Sequence, residues 1–144
     1  MTTTPYDRDL YSWAAEQAEL LRLRRFDQVD WPNVIEEIAD LGKSEYRALV
    51  SAFKQLTLHR LKWQFQPQRR SRSWRVSMAN QQVAIEQLLD ESPSLRPRLD
   101  EALAAGYRYG RREAANETGL ALEVFPETCP YGLNELIFSL PDGA

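Results

Sequence analysis

The chain has one histidine, His59, which lies on the same helical stripe as Leu56 and Trp63. An imidazole among apolar side chains needs a polar partner. At about 100° per residue, Gln17, Glu37, Gln81 and Glu117 also fall on the inward faces of their own periodic segments. Buried polar groups cost ~1–3 kcal/mol each when unpaired, so these residues are expected to find one another, to bind water or to bind a ligand. His59 with Glu37 has the residue types for general acid–base chemistry, and adding Glu117 gives a donor set for a single divalent ion. Neither role is demanded. Dimetal carboxylate bundles use Glu-x-x-His on each of two helices, whereas Leu56 stands three residues before this histidine. No serine or cysteine nucleophile falls beside the pair. The expectation is a satisfied interior network with no catalytic residue, metal or cofactor assigned.

The second candidate is electrostatic. The formal net charge is −3, yet the stretch Arg60–Arg75 carries six bases and no acid, which leaves −9 for the remainder. Its cations alternate with Trp63, Phe65 and Trp74. Such a mixture can follow a phosphate backbone while rings stack on bases, or it can receive acidic side chains. If the aromatic rings are core residues, the arginines alone face outward. Arg69, Arg70, Arg72 and Arg75 are then the candidate partner-binding residues, in a loop held between two helices. A structural role for the same cations, neutralising a helix end and pairing with Glu36 or Asp90, competes with this reading.

The remaining residue types exclude more than they offer. One cysteine, Cys129, permits no internal disulfide, and one histidine with one cysteine rules out the common Cys/His zinc patterns. A reactive role for Cys129 would need a base that the sequence does not place. There is no phosphate-binding glycine loop and no dinucleotide fingerprint. No apolar run approaches the ~20 residues that cross a bilayer, and the first residues lack the basic and apolar regions of a secretion signal. The cytoplasm is the expected compartment.

The elements that must position these residues are helical throughout. A first helix, capped by Thr4 and entered through Pro5, carries Tyr6, Leu10, Ala14, Gln17 and Leu21 on one face and is expected to end near Arg25. A second starts at Asp30 with Val34, Ile38 and Leu41 as its buried stripe as far as Gly42, and Ser44–Glu45 restarts or continues it as a third. That third helix is apolar over much of its circumference, so it should be central, and Pro67 should end it. A cap at Ser71 or Ser73 opens the fourth, with Trp74, Met78, Gln81, Ile85 and Leu89 in line to about Glu91. The fifth resumes near Arg96 and stops at Thr118–Gly119. Within it Ala102, Gly106, Gly110 and Ala114 recur every fourth residue, a groove expected to seat a large side chain such as Trp63 or Trp74. No stretch alternates with period two. The fold class is all-α: a single-domain bundle of about five helices plus a short C-terminal helix or turn, with residues 1–4 and 140–144 as flexible ends.

Several strings carry a family likeness: YDRDLYSW at 6–13 with Gln17 and Leu20–Arg22, IEEIADLG at 35–42, HRLKW at 59–63 with Gln66–Pro67, Ser73–Trp74, SPSL at 92–95, ETG at 117–119 and FPETCP at 125–130. Over almost its whole length the chain resembles the bacterial domain of unknown function 29 family. The resemblance implies an all-helical bacterial protein and supplies neither reaction nor ligand. Where that family more often has leucine after the histidine, this chain has Arg60.

Together these readings lead us to expect a non-catalytic helical module that binds an acidic protein or other anionic partner through the basic loop between the third and fourth helices. Nucleic acid is the less favoured partner. The alternative is a metal-dependent or acid/base enzyme centred on His59 and Glu37.

Overall fold

Asp9 opens the first helix, its carboxylate accepting from the Ser12 amide at 3.1 Å, and α1 runs Leu10–Arg22. The computed structural model describes residues 5–142, so the Thr4 cap expected upstream lies outside the described residues. After a 3-10 turn at Phe26–Gln28 the chain enters α2, Trp31–Phe65. The two segments expected on either side of Gly42 are thus one helix. Gly42 is exposed, and a methyl group added to it would meet nothing, so it neither breaks the helix nor serves a close approach. Pro67 ends α2 as expected, with a 3-10 turn at Pro67–Arg69.

Ser71 supplies the next cap, accepting from the Trp74 amide at 3.3 Å, and α3 spans Arg72–Glu91. A 3-10 segment at Pro93–Arg98 leads into α4, Leu99–Thr118, which stops where Gly119 adopts φ +75° and returns its amide to Ala115 O at 3.0 Å. A further 3-10 turn at Leu122–Val124 and the short α5, Leu133–Phe138, complete an all-α chain, with no strand among the described residues. No described helix is long and apolar enough to cross a membrane.

The chain groups into two compact units, Met1–Ser44 and Glu45–Ala144. In the first, Trp13 and Leu20 of α1 pack with Val29 and Val34, and Tyr6 and Leu21 cover the edge. Asp30 ties this small core together. Its carboxylate accepts from the Trp13 indole at 3.0 Å and from the Asn33 amide at 2.8 Å, while its own N–H donates to Gln17 Oε1 at 2.7 Å. Only Val34 of the expected second stripe is buried; Ile38 and Leu41 are 68% and 71% exposed, because the α1 contacts use the face that carries Val34.

The second unit is a helical bundle with α2 at its centre. Leu49, Phe53, Leu56 and Trp63 meet Met78, Ile85 and Leu89 of α3 and Ala102 and Leu103 of α4, while Leu58 and Leu61 join Tyr107, Ala114 and Phe125 in an adjoining cluster. The small-residue stripe of α4 lies in this bundle, although its occupant differs from the expected tryptophan. A methyl on Gly106 would sit 2.8 Å from Val50 O and 2.9 Å from Lys54 N, and one on Gly110 would sit 2.4 Å from Thr57 Oγ1 and 2.9 Å from Lys54 O. The groove seats the backbone of α2 itself. Residues 140–142 of the expected flexible end are tied in: Leu140 packs on the core and Pro141 O accepts from Arg75 at 2.5 Å. Residues 143–144 lie outside the described residues.

Candidate functional site

The basic segment begins inside the core. Arg60 follows Leu56 by one helical turn and precedes Trp63 by three residues, so the α2 stripe carries it inward, and it is 8% exposed. Its guanidinium is poorly compensated for so buried a charge. Nη2 makes one long hydrogen bond to Glu135 O at 3.4 Å, the Glu135 carboxylate stands 3.9 Å away, and the Tyr131 ring centroid lies at 5.4 Å. Nε has no acceptor, and neither does the indole Nε1 of Trp63, which is 3% exposed.

The four arginines expected to face a partner divide into two pairs. Arg70 folds back, donating from Nε to Trp63 O at 2.8 Å with its guanidinium 5.1 Å from the centre of the Trp63 ring. Arg75 is half-buried and holds Pro141 O. These two brace the end of α2 and the C-terminal segment, through carbonyls rather than through the acids Glu36 or Asp90. Arg69 and Arg72 are exposed, and among the described residues their side chains make no ion pair or hydrogen bond. Arg72 is the first residue of α3, whose first turn contains no acid, so a cation stands at the positive end of a 20-residue helix. Of the aromatic residues in the segment, Trp63 is buried, and Trp74 is half-buried with Lys62 Nζ 4.7 Å from its ring centre.

Each expected interior polar residue has its own surroundings. Gln17 is buried and binds the Asp30 amide, and Glu37 accepts from the Tyr6 hydroxyl. That hydrogen bond, foremost, pushes the Tyr6 phenol up to about 12. Both residues belong to the first unit, and no hydrogen bond joins them. In the second unit His59 is half-buried and donates from Nδ1 to Gln55 O at 2.7 Å, a carbonyl one turn back on its own helix. Glu117 is exposed and pairs with Lys62 Nζ at 3.0 Å. Gln81 lies half-buried along a groove with Ser51 and Leu88. No hydrogen bond or ion pair joins any two of His59, Gln81 and Glu117. His59 takes a carbonyl of its own helix and Glu117 takes Lys62 across on α2, so these polar groups do not find one another. Among the described residues, no three His, Cys, Asp or Glu side chains are grouped to hold a metal. Cys129 is half-buried, its Sγ 3.5 Å from Tyr131 O, and burial pushes its thiol up, away from the reactive thiolate.

The feature that sequence reasoning missed is the cavity beside Arg60. About 430 Å³ in volume, it is lined by Arg60, Trp63, Arg70, Tyr131, Glu135 and Asp142, among others. Tyr131 is held neutral by burial, foremost, and donates its hydroxyl to Gln64 at 2.6 Å. A signal was present, since the spacing that places Leu56 and Trp63 inside places Arg60 between them. The C-terminal wall of the cavity comes from residues some seventy positions away, and no local pattern announces it.

Comparison with curated proteins and with solved structures gives no match. The family model described as "Domain of unknown function DUF29" matches residues 5–139, nearly the whole chain, and the protein belongs to that family.

Proposed function

We propose that the chain is a non-catalytic helical module that binds an acidic protein partner through the basic segment between α2 and α3. The observation that carries this reading is the pair Arg69 and Arg72: exposed, unengaged, and set at the N-terminus of a long helix whose first turn has no acid. A cation there is repelled by the helix dipole, and an arriving carboxylate removes that repulsion while accepting from two guanidinium forks. The segment is braced on both sides by Arg70 and Arg75, so little ordering entropy is lost on binding. Family resemblance and the unpaired thiol of Cys129 favour a bacterial cytoplasmic setting.

The test is the double variant Arg69→Ala/Arg72→Ala, assayed against immobilised polyglutamate and against duplex DNA over a range of salt. Arg70 is left in place because its replacement would also remove a bond to α2. The unmodified protein is expected to retain polyglutamate more strongly than DNA, and the variant to lose at least tenfold in affinity with its helical circular dichroism unchanged. Equal retention of polyglutamate by both proteins would remove the proposal. A preference for DNA, with a steep salt slope, would reassign the partner.

A further inference from the structure

We propose that the cavity beside Arg60 is a binding site for a small organic acid, whose carboxylate is held by the Arg60 guanidinium and the Trp63 indole N–H. This goes beyond the reading of Arg69 and Arg72 and does not depend on it.

Two observations converge on one place. Arg60 is a buried cation with a single long hydrogen bond, and its nearest carboxylate oxygen lies at 3.9 Å. A charge withdrawn from water in this way is costly unless a close, hydrogen-bonded anion compensates it. The Trp63 Nε1–H, on a residue 3% exposed, also has no acceptor. Both residues line the same cavity, whose size of about 430 Å³ falls within the range of small-molecule sites. A carboxylate has two oxygens that can accept from the guanidinium fork and from the indole together. Both orphan nitrogens are sealed from water, so the proposed complex requires the long Arg60 and Arg70 side chains to shift.

The walls decide which anion fits. Glu135 and Asp142 already bring two negative groups to the cavity, so a singly charged carboxylate is tolerated better than a doubly charged phosphate. The Trp63 and Tyr131 side chains offer aromatic surface to the body of the acid.

The experiment titrates the full chain with acetate, propionate and benzoate, with benzamide and inorganic phosphate alongside. It reads the thermal midpoint and the Trp63 indole N–H resonance. At least one acid is expected to raise the midpoint and move that resonance downfield, with benzamide and phosphate ineffective. Arg60→Met should fold with an unchanged or higher midpoint, because an apolar side chain replaces a poorly compensated charge, and should lose the response to acid. Should Arg60→Met fail to fold, Trp63→Phe decides: a response weakened at least several-fold supports the site, and a full response overturns it. No response of the unmodified protein to any of the three acids at millimolar concentration, a response to phosphate alone, or an undiminished response in folded Arg60→Met would each overturn the inference.

Discussion

Of the interior polar residues that the sequence grouped together, Gln17, Glu37, His59 and Glu117 each have a different partner. His59 spends its Nδ1–H on the Gln55 carbonyl, and Glu37 spends its acceptor on Tyr6. The Gln55 carbonyl fixes the His59 tautomer and leaves Nε2 as an acceptor, and the Glu37 carboxylate has its own partner in Tyr6. The Tyr6–Glu37 bond has a testable titration. The phenol is raised from 10 to about 12 in the folded protein. Between those values the unfolded chain loses the Tyr6 proton while the folded chain keeps it, so stability falls with rising pH. The contribution of this contact is complete below about pH 10 and gone above about 12. Tyr6→Phe is expected to make that part of the stability profile shallower, Tyr107 and Tyr131 keeping their own share because burial raises both phenols, as measured by denaturant midpoints across alkaline pH. An identical profile in the variant would show that the bond does not hold in solution. The misplaced residue at this scale was Arg60. Counted with the exposed cations because of its charge, it is carried inside by its position on the stripe between Leu56 and Trp63, and helical periodicity outweighs residue type.

At the scale of elements the glycines separate two meanings of the same residue. Gly106 and Gly110 stand where α4 touches the backbone of α2, and there a methyl group has no room. Alanine at either position is expected to cost ~1–3 kcal/mol of stability, because backbone on the other side cannot retreat as a flexible side chain would. Gly42 lies in the middle of α2 with open space around it, and Gly42→Ala is expected to stabilise by ~0.5–1 kcal/mol through helix propensity alone. Denaturant melts of the three variants check both signs at once, and a destabilised Gly42→Ala would mean that α2 is not continuous there. The Ser71 cap, the stop at Pro67, the glycine at the end of α4 and the central character of residues 45–65 were legible, since each rests on a signal within one or two turns, whereas the first helix begins at Leu10 behind Asp9 rather than at Pro5. What was not legible depended on another element. The fourfold stripe of α4 declared a groove, yet only the packing shows that it takes a helix backbone rather than an indole. Likewise the exposed Ile38 and Leu41 read as core because periodicity identifies a face without saying what covers it.

The whole molecule unites two units of very different internal support. The first rests on Trp13, Leu20, Val29 and Val34, with Asp30 as the polar knot between α1 and the start of α2. The second buries apolar side chains from all of its helices and is further tied by Gln82, Arg75 and Arg111 to the carbonyls of its C-terminal segment. Local opening free energy follows the buried apolar contacts that an opening must break, so the two units should differ in hydrogen exchange. Amides of α1 are expected to exchange by sub-global opening, well before those of Leu49–Leu61 in α2 and Ala102–Ala114 in α4, which should exchange only with global unfolding. The Asp30 carboxylate sharpens this expectation. Its pKa is depressed, chiefly by the Asn33 hydrogen bond, so its contribution is present above the usual aspartate range and is lost as pH falls through the lower folded value. Acid should therefore loosen the first unit ahead of the second, and Asp30→Ala should already do so at neutral pH, by removing the acceptor shared by Trp13 and Asn33. Exchange read by mass spectrometry, peptide by peptide, distinguishes the outcomes. If α1 and the α2–α4 core exchange together in the unmodified protein and in Asp30→Ala alike, the chain opens as one cooperative body and the weak first unit is refuted. If α1 alone gains exchange in Asp30→Ala, the indole and amide bonds to one carboxylate hold that unit closed, and the basic segment and cavity of the second unit keep their geometry while the first unit opens.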